Sequence, residues 1–276
     1  MGTQIFDPVD TEALVSPGWI AAHLDEPDVR VVEVDVSPAS FDAGHVPGAV
    51  FWNAYGDLRP VDYRPLPSSE LVGLLERSGI GPDTTVVFYG YGAYLGYWLL
   101  RSYGHARVFL MDGLREQWVD AGHAWTTELA APAPARYVIG ADRPDLATQA
   151  DVLDLLGDPD AMLVDVRSRE EFTGERFWPS GGMQEGGRAG RIPGAVWLAV
   201  DIAQQSPNEV RELCEAAAVG PDRHVVVYCT IGNRASQVWY VLKHLLGYPR
   251  VSVYYGSWAE WGTTSEAPVE NGAPQG

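Results

Sequence analysis

The sequence predicts an α/β protein of two homologous domains, each a small, mainly parallel sheet flanked by helices. Three observations support this fold class. The chain repeats itself in order, its apolar runs have the length of buried strands, and amphipathic helical segments lie between those runs. At 276 residues, the chain is long enough for two domains of about 130 residues each.

The repeat consists of four blocks that recur in the same order. The pairs, first copy and then second, are residues 27–34 and 159–166, 43–50 and 189–196, 86–90 and 225–229, and 103–108 and 246–251. The spacing between the copies is not constant, so the two halves differ in their loops. The second copy gains a Gly-rich segment at residues 176–188 and extra residues directly after Cys229. Added loops on a shared scaffold are where function usually lies.

Strands are predicted where apolar residues follow one another without alternation. Met162–Val166 and Val225–Tyr228 are such runs, and residues 86–89 are the first-half counterpart of the second of them. Continuous apolar runs of this length are typical of strands that a parallel sheet buries on both faces.

Two helices are predicted in the second half. Residues 208–218 follow a Ser-Pro start signal at 206–207, carry apolar residues on one face and end at Gly220. Residues 236–246 show the same amphipathic spacing and stop at Gly247. Because strand-like and helical segments alternate, each half is expected to fold as a small α/β domain.

The predicted domains are residues 10–128 and residues 146–268, joined by a linker over residues 129–145. The linker contains the run Ala-Ala-Pro-Ala-Pro-Ala, in which alternating Pro residues block both helix formation and sheet pairing. The tail after Pro268 is rich in Gly, Pro and Asn, and we expect it to fray.

The formal net charge of −18 argues against a nucleic-acid-binding surface. An anionic substrate would have to be held by local Arg side chains or backbone N–H groups. Residues 1–15 contain no apolar run, so we expect neither a signal peptide nor a membrane span, and a cytoplasmic location. In a reducing cytoplasm, Cys214 and Cys229 are expected to remain separate thiols.

Cys229 lies where a predicted strand passes into a predicted helix. Open α/β sheets bind ligands at this edge, and the N–H groups and positive dipole end of the following helix stabilise a thiolate. Gly232 permits a turn that a Cβ would obstruct, and Arg234 adds a positive charge. A small buried apolar residue is the commonest state of a free Cys. That description suits Cys214, inside an amphipathic helix, whereas the surroundings of Cys229 favour a reactive thiol.

Several segments of the second half resemble the tandem-domain rhodanese family, which includes bacterial thiosulfate sulfurtransferases. They are DVRSREEF at 165–172, AGRIPGA at 189–195, YCTIGNRAS at 228–236, LLGYP at 245–249 and GSWAEWG at 256–262. Together with the echoes in the first half, the resemblance covers nearly the whole chain. It implies two rhodanese-like domains.

The resemblance implies that residues 146–268 form the catalytic domain and residues 10–128 a non-catalytic one, since Gly90 stands at the position of Cys229. The implied reaction is double displacement, in which the Cys229 thiolate takes the sulfane sulfur of thiosulfate as a persulfide and passes it to cyanide or a thiol. The family needs neither a metal nor another cofactor. The implied partners are small sulfur donors and acceptors, with thioredoxin or a sulfur-carrier protein as further acceptors.

The resemblance also implies which residues bind the donor. Arg188 matches the donor-binding arginine position, and its alternative role is a solvated loop charge. Arg191 stands where the family usually has His, and Asp165 and Arg167 are expected to orient the strand end. The remaining candidates form the loop that would hold the thiolate and the persulfide through N–H groups: Thr230, Ile231, Gly232, Asn233 and Arg234.

Three alternatives stay open. Thr230-Ile231 matches neither the basic residues that follow the nucleophile in vertebrate-type thiosulfate enzymes nor the Gly-Ser pair of mercaptopyruvate enzymes, so 3-mercaptopyruvate is an alternative donor. Cysteine phosphatases and arsenate reductases also place Arg after Cys, but with one residue more than the four between Cys229 and Arg234. A non-enzymatic rhodanese-like module is the third alternative, and the retained Cys229 counts against it.

Overall fold

The structure, a computed structural model, describes residues 13–59, 61, 63–140, 145–198 and 206–272. These residues form two compact units, one before and one after residues 141–144. Residues 1–12, which carry most of the location prediction, and residues 141–144 of the predicted linker lie outside the described ranges. Within those ranges, no helix has both the length and the apolar character that a membrane span requires. The exact domain and linker boundaries stay predictions.

The first unit is built from five strands and five helices that alternate along the described chain. They are β1 (Leu14–Val15), α1 (Pro17–His23), β2 (Val29–Asp35), α2 (Ala39–Ala43), β3 (Val50–Asn53), α3 (Ser68–Arg77), β4 (Thr85–Tyr89), α4 (Ala93–Ser102), β5 (Val108–Met111) and α5 (Glu116–Asp120). The strands form one sheet in the order β1-β5-β4-β2-β3, and all of its pairings are parallel.

The second unit repeats this arrangement. Its elements are β6 (Leu146–Ala147), α6 (Gln149–Asp154), β7 (Ala161–Asp165), α7 (Arg169–Thr173), β8 (Val196–Trp197), α8 (Pro207–Ala216), β9 (His224–Tyr228), α9 (Asn233–Tyr240), β10 (Val251–Tyr254) and α10 (Ser257–Trp261). The sheet is again parallel, in the order β6-β10-β9-β7-β8. Counted from the start of each unit, the two strand orders are the same. The predicted fold class is therefore confirmed.

Local sequence explains where the helices of the second unit begin. The Ser206 side chain accepts the Glu209 N–H and the Glu209 carboxylate accepts the Ser206 N–H, a capping box that starts α8 close to the predicted position. Helix α9 begins at Asn233, three residues before the predicted start at Ser236. The cause is Gly232, whose left-handed φ of 93° turns the chain into the helix at once. The helix N-terminus therefore lies closer to Cys229 than the sequence pattern indicated.

The core of the second unit is aromatic. Trp239, Trp258 and Trp261 are buried, whereas Trp197 is half-buried on the edge strand β8. Cys214 is buried on α8, which confirms its predicted role as a packing residue. Because α9 and α10 contribute these Trp residues, the two helices that begin at the carboxyl edge of the sheet are anchored in the core.

The prediction of a frayed tail is wrong for residues 269–272. Arg191 and Glu270 form an antiparallel backbone bridge with N···O distances of 2.8 and 3.0 Å. The buried Arg191 guanidinium also binds the Glu270 carboxylate and donates to the Gly272 carbonyl at 2.6 Å. Composition alone indicated disorder, but the buried arginine supplies the partners that order these residues.

Arg191 makes the same kinds of contact as His45 in the first unit: each forms an antiparallel backbone bridge and lies against a Phe ring. His45 lies against the Phe41 ring at 3.7 Å between centroids, and its backbone pairs with Thr126. The Arg191 guanidinium lies 4.5 Å from the Phe172 ring centroid in the same arrangement. The Arg at this position therefore serves to hold residues 270–272, and among the described residues no hydrogen bond or ion pair joins Arg191 to the Cys229 loop.

Candidate active site

Cys229 directly follows β9, the middle strand of the second sheet, and lies at its carboxyl edge. The side chain is 1% exposed. The Gly232 N–H points at the sulfur, with 3.1 Å between N and Sγ. N–H groups in the first turn of α9 lack intrahelical acceptors, so this turn offers donors and a positive dipole end to a thiolate. The predicted position of Cys229 is confirmed.

The first turn of α10 holds the backbone of this loop from one side. The Trp258 N–H donates to the Cys229 carbonyl and the Ala259 N–H to the Thr230 carbonyl, both at 2.9 Å. The Cys229 N–H donates to the Ser257 hydroxyl at 3.3 Å. Ser257 takes a left-handed φ of 53°, which a residue with a Cβ rarely adopts. The loop carbonyls are thus turned towards α10 and away from the sulfur.

Glu171 holds the other side of the loop, and the sequence analysis did not identify it. It comes from α7, which follows β7, the neighbouring strand. Its fully buried carboxylate accepts the Thr230 hydroxyl at 2.7 Å and the two terminal nitrogens of Arg234 at 2.9 and 3.0 Å. It also accepts the Ser168 N–H at 3.1 Å. The Ser-x-x-Glu capping pattern at 168–171 was a signal for a fixed carboxylate here, but not for its long-range partners.

Glu171 and Arg234 each stabilise the ionised form of the other. Burial raises the pKa of Glu171, but the hydrogen bonds and charge of Arg234 outweigh it, and the pKa lies below its ordinary value. Burial likewise disfavours the charged guanidinium, yet the hydrogen bonds and charge of Glu171 raise the pKa of Arg234. Both groups are therefore ionised at neutral pH. The stability that ionised Glu171 contributes is lost only as the pH falls through its lowered pKa.

The remaining residues of the Cys229 loop carry no side-chain charge. Ile231 and Thr230 are buried, and Thr230 is engaged with Glu171 and, at 2.5 Å, with Arg234. Asn233, the first residue of α9, is 3% exposed, and neither atom of its side-chain amide has a hydrogen-bond partner among the described residues. Buried polar groups are usually paired, so an unpaired amide at this position is notable. The structure thus brings together five of the predicted site residues with Cys229.

Arg188 lies in the Gly-rich insertion and faces the segment after α10. Its terminal nitrogens donate to the carbonyls of Ala267 (2.8 Å), Trp261 (3.3 Å) and Thr264. Its own carbonyl accepts the indole N–H of Trp258 at 3.1 Å. The side chain thus ties the insertion to the helix that holds the Cys229 loop. Its donor-binding role stays a prediction, since a bound sulfonate would compete with these carbonyls.

A second buried ion pair lies at the end of β7. Arg167 donates to both oxygens of Asp165 at 2.6 to 3.1 Å and to the Gly190 carbonyl at 2.6 Å. Its guanidinium lies 4.4 Å from the ring centroid of Trp258. Arg167 thereby joins the strand end, the backbone at Gly190 and α10. This agrees with the orienting role predicted for the pair.

The corresponding place in the first unit is closed to a nucleophile. Gly90, at the position of Cys229, has a left-handed φ of 92°. A Cβ on Gly90 would lie 2.9 Å from the Val34 carbonyl oxygen and 3.0 Å from Glu33 Cγ. The Gly92 N–H, which a bound anion would need, already donates to the Val34 carbonyl at 2.7 Å. The first unit therefore lacks both the thiol and the free amide.

The two thiols should differ sharply in reactivity. Burial raises the pKa of Cys214 to about 11, so at pH 8 only about one molecule in a thousand carries the thiolate there. We expect iodoacetamide at pH 8 to label Cys229 in the folded protein and to leave Cys214 unmodified, as measured by peptide mass spectrometry. Cys214→Ala should label to the same extent as the unaltered chain. Label found mainly on Cys214 would contradict the assignment of the reactive thiol.

Comparison with known proteins agrees with this geometry. The rhodanese-like domain model matches residues 16–121 and 148–264. The chain is 40% identical to sulfur carrier protein TtuD of Thermus thermophilus, with 95% of this chain and 97% of TtuD covered. It is 38% identical, over 95% of this chain and 97% of the relative, to a protein of Haloferax volcanii that is provisionally named a thiosulfate sulfurtransferase. It is also 37% identical to SseA of Mycobacterium tuberculosis, which bears the same provisional name, over 96% of this chain and 93% of SseA.

Solved structures show the same relationship. The anaerobic ergothioneine biosynthesis enzyme of Chlorobium limicola, bound to trimethyl histidine, superposes with a TM-score of 0.82 at 26% identity, over 95% of this chain and 71% of that one. An EanB variant that carries a cysteine persulfide, in a tetrahedral intermediate state with ergothioneine, has a TM-score of 0.85 at 25% identity, over 98% and 73% of the two chains. The chain is therefore a tandem-domain member of the rhodanese-like family of sulfurtransferases.

Proposed function

We propose that this protein transfers sulfane sulfur from thiosulfate to a nucleophilic acceptor through a persulfide on Cys229. The observation that supports this most is the Gly232 N–H directed at the Cys229 sulfur, at the start of a helix on the carboxyl edge of the sheet. A preorganised N–H donor favours the negative sulfur before and after it has accepted a second sulfur. The same donor gives no advantage to a neutral thiol that serves only in packing.

The proposed reaction has two displacements. In the first, the Cys229 thiolate attacks the outer sulfur of thiosulfate, a new S–S bond forms, and sulfite leaves with the electron pair of the broken S–S bond. In the second, cyanide or a thiolate attacks the outer sulfur of the persulfide, and the Cys229 thiolate leaves with the bonding pair. No proton is transferred when cyanide is the acceptor, and thiocyanate is the product. The mechanism therefore needs no general base beside the sulfur.

The loop supplies the remaining contacts in this proposal. The N–H groups of residues 230–234 would bind the persulfide and the donor, as they lie at the start of α9. The unpaired amide of Asn233 would serve the sulfonate or the outer sulfur, and Ile231 would exclude water. Arg234 would hold the loop in shape through its bonds to Thr230 and Glu171. Arg188 would contact a donor only by releasing some of its carbonyl partners.

The relatives support the reaction class and leave the substrates open. TtuD is named a sulfur carrier protein, which favours a protein or thiol acceptor such as thioredoxin or a sulfur-carrier protein. The provisional name of the Haloferax protein favours thiosulfate as the donor, and 3-mercaptopyruvate is the alternative. A phosphatase is disfavoured because the Arg234 guanidinium is engaged by Glu171, and so offers few free donors to a phosphate.

The test is the intact mass of the protein after exposure to thiosulfate. We expect a gain of one sulfur atom, which cyanide should remove with release of an equal amount of thiocyanate. Gain of sulfur from 3-mercaptopyruvate alone would replace thiosulfate as the donor. A mass that stays unchanged with both donors, together with hydrolysis of a phosphate ester, would reverse the assignment in favour of the phosphatase.

A further inference from the structure

We propose that Glu171 is a positioning residue that shapes the Cys229 loop and cancels the charge of Arg234, so that the donor is bound by the N–H groups of the loop and not by a free guanidinium charge. This inference rests on the proposed sulfur transfer for its kinetic readout. It assigns a role to a residue outside the Cys229 loop, and it concerns how the site binds its donor.

The hydrogen bonds of Glu171 reach both ends of the loop. One oxygen accepts the hydroxyl of Thr230, the residue after Cys229, and the other accepts Arg234 at the start of α9. Four residues lie between Cys229 and Arg234, so a single carboxylate fixes the span that carries the N–H donors. Because α10 binds the carbonyls on the opposite side, the loop is held at two faces and the Gly232 N–H stays directed at the sulfur.

The same contacts decide the charge of the site. The Glu171 carboxylate is fully buried, and Arg234 is 20% exposed, so the pair is only weakly screened by water. The net charge of the Glu171–Arg234 pair is zero, which removes the attraction that a lone guanidinium would exert on a dianion. The nearby Arg167 guanidinium is likewise matched by Asp165. With a net charge of −18 over the chain, the thiosulfate dianion meets little positive field here.

The neighbouring residue Glu170 provides a matched control. It lies on the same helix turn but is exposed and pairs with Arg176 at 3.1 Å, remote from the loop contacts. Glu170→Gln and Glu171→Gln make the same change of charge and shape one residue apart. A long-range effect of net charge would appear in both variants, whereas cancellation of Arg234 would be lost only in the second.

The first measurement is steady-state sulfur transfer to cyanide. In Glu171→Gln we expect the KM for thiosulfate to fall by about tenfold, because Arg234 regains an uncompensated charge. The turnover number should fall as well, because the loop loses its charged anchor. Glu170→Gln should change neither. A purely structural role of Glu171 would reduce the amount of active enzyme and leave the KM unaltered, and an unchanged or higher KM would overturn the proposal.

The second measurement does not depend on sulfur transfer. Iodoacetate is anionic and iodoacetamide neutral, and in both reactions the Cys229 thiolate displaces iodide. The ratio of their rate constants therefore reports the charge near the sulfur. We expect Glu171→Gln to raise the iodoacetate-to-iodoacetamide ratio by at least about threefold, with no change in Glu170→Gln. An equal ratio in both variants and the unaltered chain would refute the charge cancellation even if the enzyme were active.

A double variant protects the test against misfolding of the single one. Glu171→Gln/Arg234→Gln removes both charges together, so its alkylation ratio should equal that of the unaltered chain. A ratio that falls severalfold in the double variant would mean that Arg234 attracts anions despite Glu171, which contradicts the proposal. If the predicted ratios appear while the unaltered chain fails to gain sulfur from thiosulfate, the proposed function fails and the charge role of Glu171 stands.

Discussion

Replacement of Cys229 by Ser should lower the turnover of sulfur transfer by at least about a thousandfold. The hydroxyl of Ser remains protonated near neutral pH and cannot form a persulfide, so both displacements lose their nucleophile and leaving group. Thiocyanate release from thiosulfate and cyanide measures the loss. The intact mass of the variant should show no added sulfur.

The substitution is close to isosteric, which separates chemistry from folding. The Ser hydroxyl can still accept the Gly232 N–H that lies 3.1 Å from the native sulfur, so the thermal unfolding midpoint should stay nearly unchanged. Cys214→Ser is the matched control. Cys214 is buried on α8 and remote from the loop, and its variant should keep full turnover. Undiminished activity in the Cys229 variant would exclude a persulfide on this residue.

Sequence reasoning located the Cys229 loop because its information is local. A strand end, a Gly and a helix start follow one another within a few residues, and the left-handed Gly232 and the donor to Sγ are consequences of that order. The same reasoning missed Glu171, which lies on α7 after the neighbouring strand β7 and is separated from Arg234 by 63 positions. Contacts of that range depend on strand order, which the pattern of one chain does not fix.

Arg188 and the tail illustrate the same limit. The sequence presented Arg188 as a charge in a Gly-rich loop, whereas its partners are carbonyls about 75 residues away. The tail read as disordered by composition, yet Glu270 is ordered by Arg191. In both cases a buried or half-buried guanidinium donates to backbone carbonyls that are distant in sequence. The residue type alone does not reveal where its five N–H donors are directed.

Each unit pairs a buried carboxylate with an arginine, but the two arginines come from different positions in the repeat. In the first unit, Arg115 binds the buried carboxylate of Glu33 on β2 and lies 4.6 Å from the Trp125 ring centroid. In the second unit, Arg167 binds Asp165 and lies over Trp258. The acids are equivalent in the repeat, but the arginines are not. The fold therefore requires a guanidinium at this point, whichever segment supplies it.

Removal of Arg167 should consequently destabilise the second unit by about 3 to 5 kcal/mol, because Arg167→Met leaves the Asp165 carboxylate buried without its partner. Both side chains are fully buried, so water cannot replace the lost bonds. The charge and hydrogen bonds of Asp165 raise the pKa of Arg167 and outweigh the opposing effect of burial. Urea unfolding followed by Trp fluorescence measures the change.

Arg169→Met is the control for this prediction, since Arg169 carries the same charge two residues away but is exposed and lies over the Phe172 and Trp197 rings. Its loss should cost less than about 0.5 kcal/mol. The double variant Asp165→Asn/Arg167→Met should recover part of the stability, because no ionised group is then left unpaired. Equal destabilisation by Arg167→Met and Arg169→Met would mean that net charge, and not the buried pair, accounts for the effect. If the buried pair accounts for the effect, Arg167→Met should also lower the rate of sulfur transfer. Trp258, which donates to the Cys229 carbonyl, packs directly on the Arg167 guanidinium.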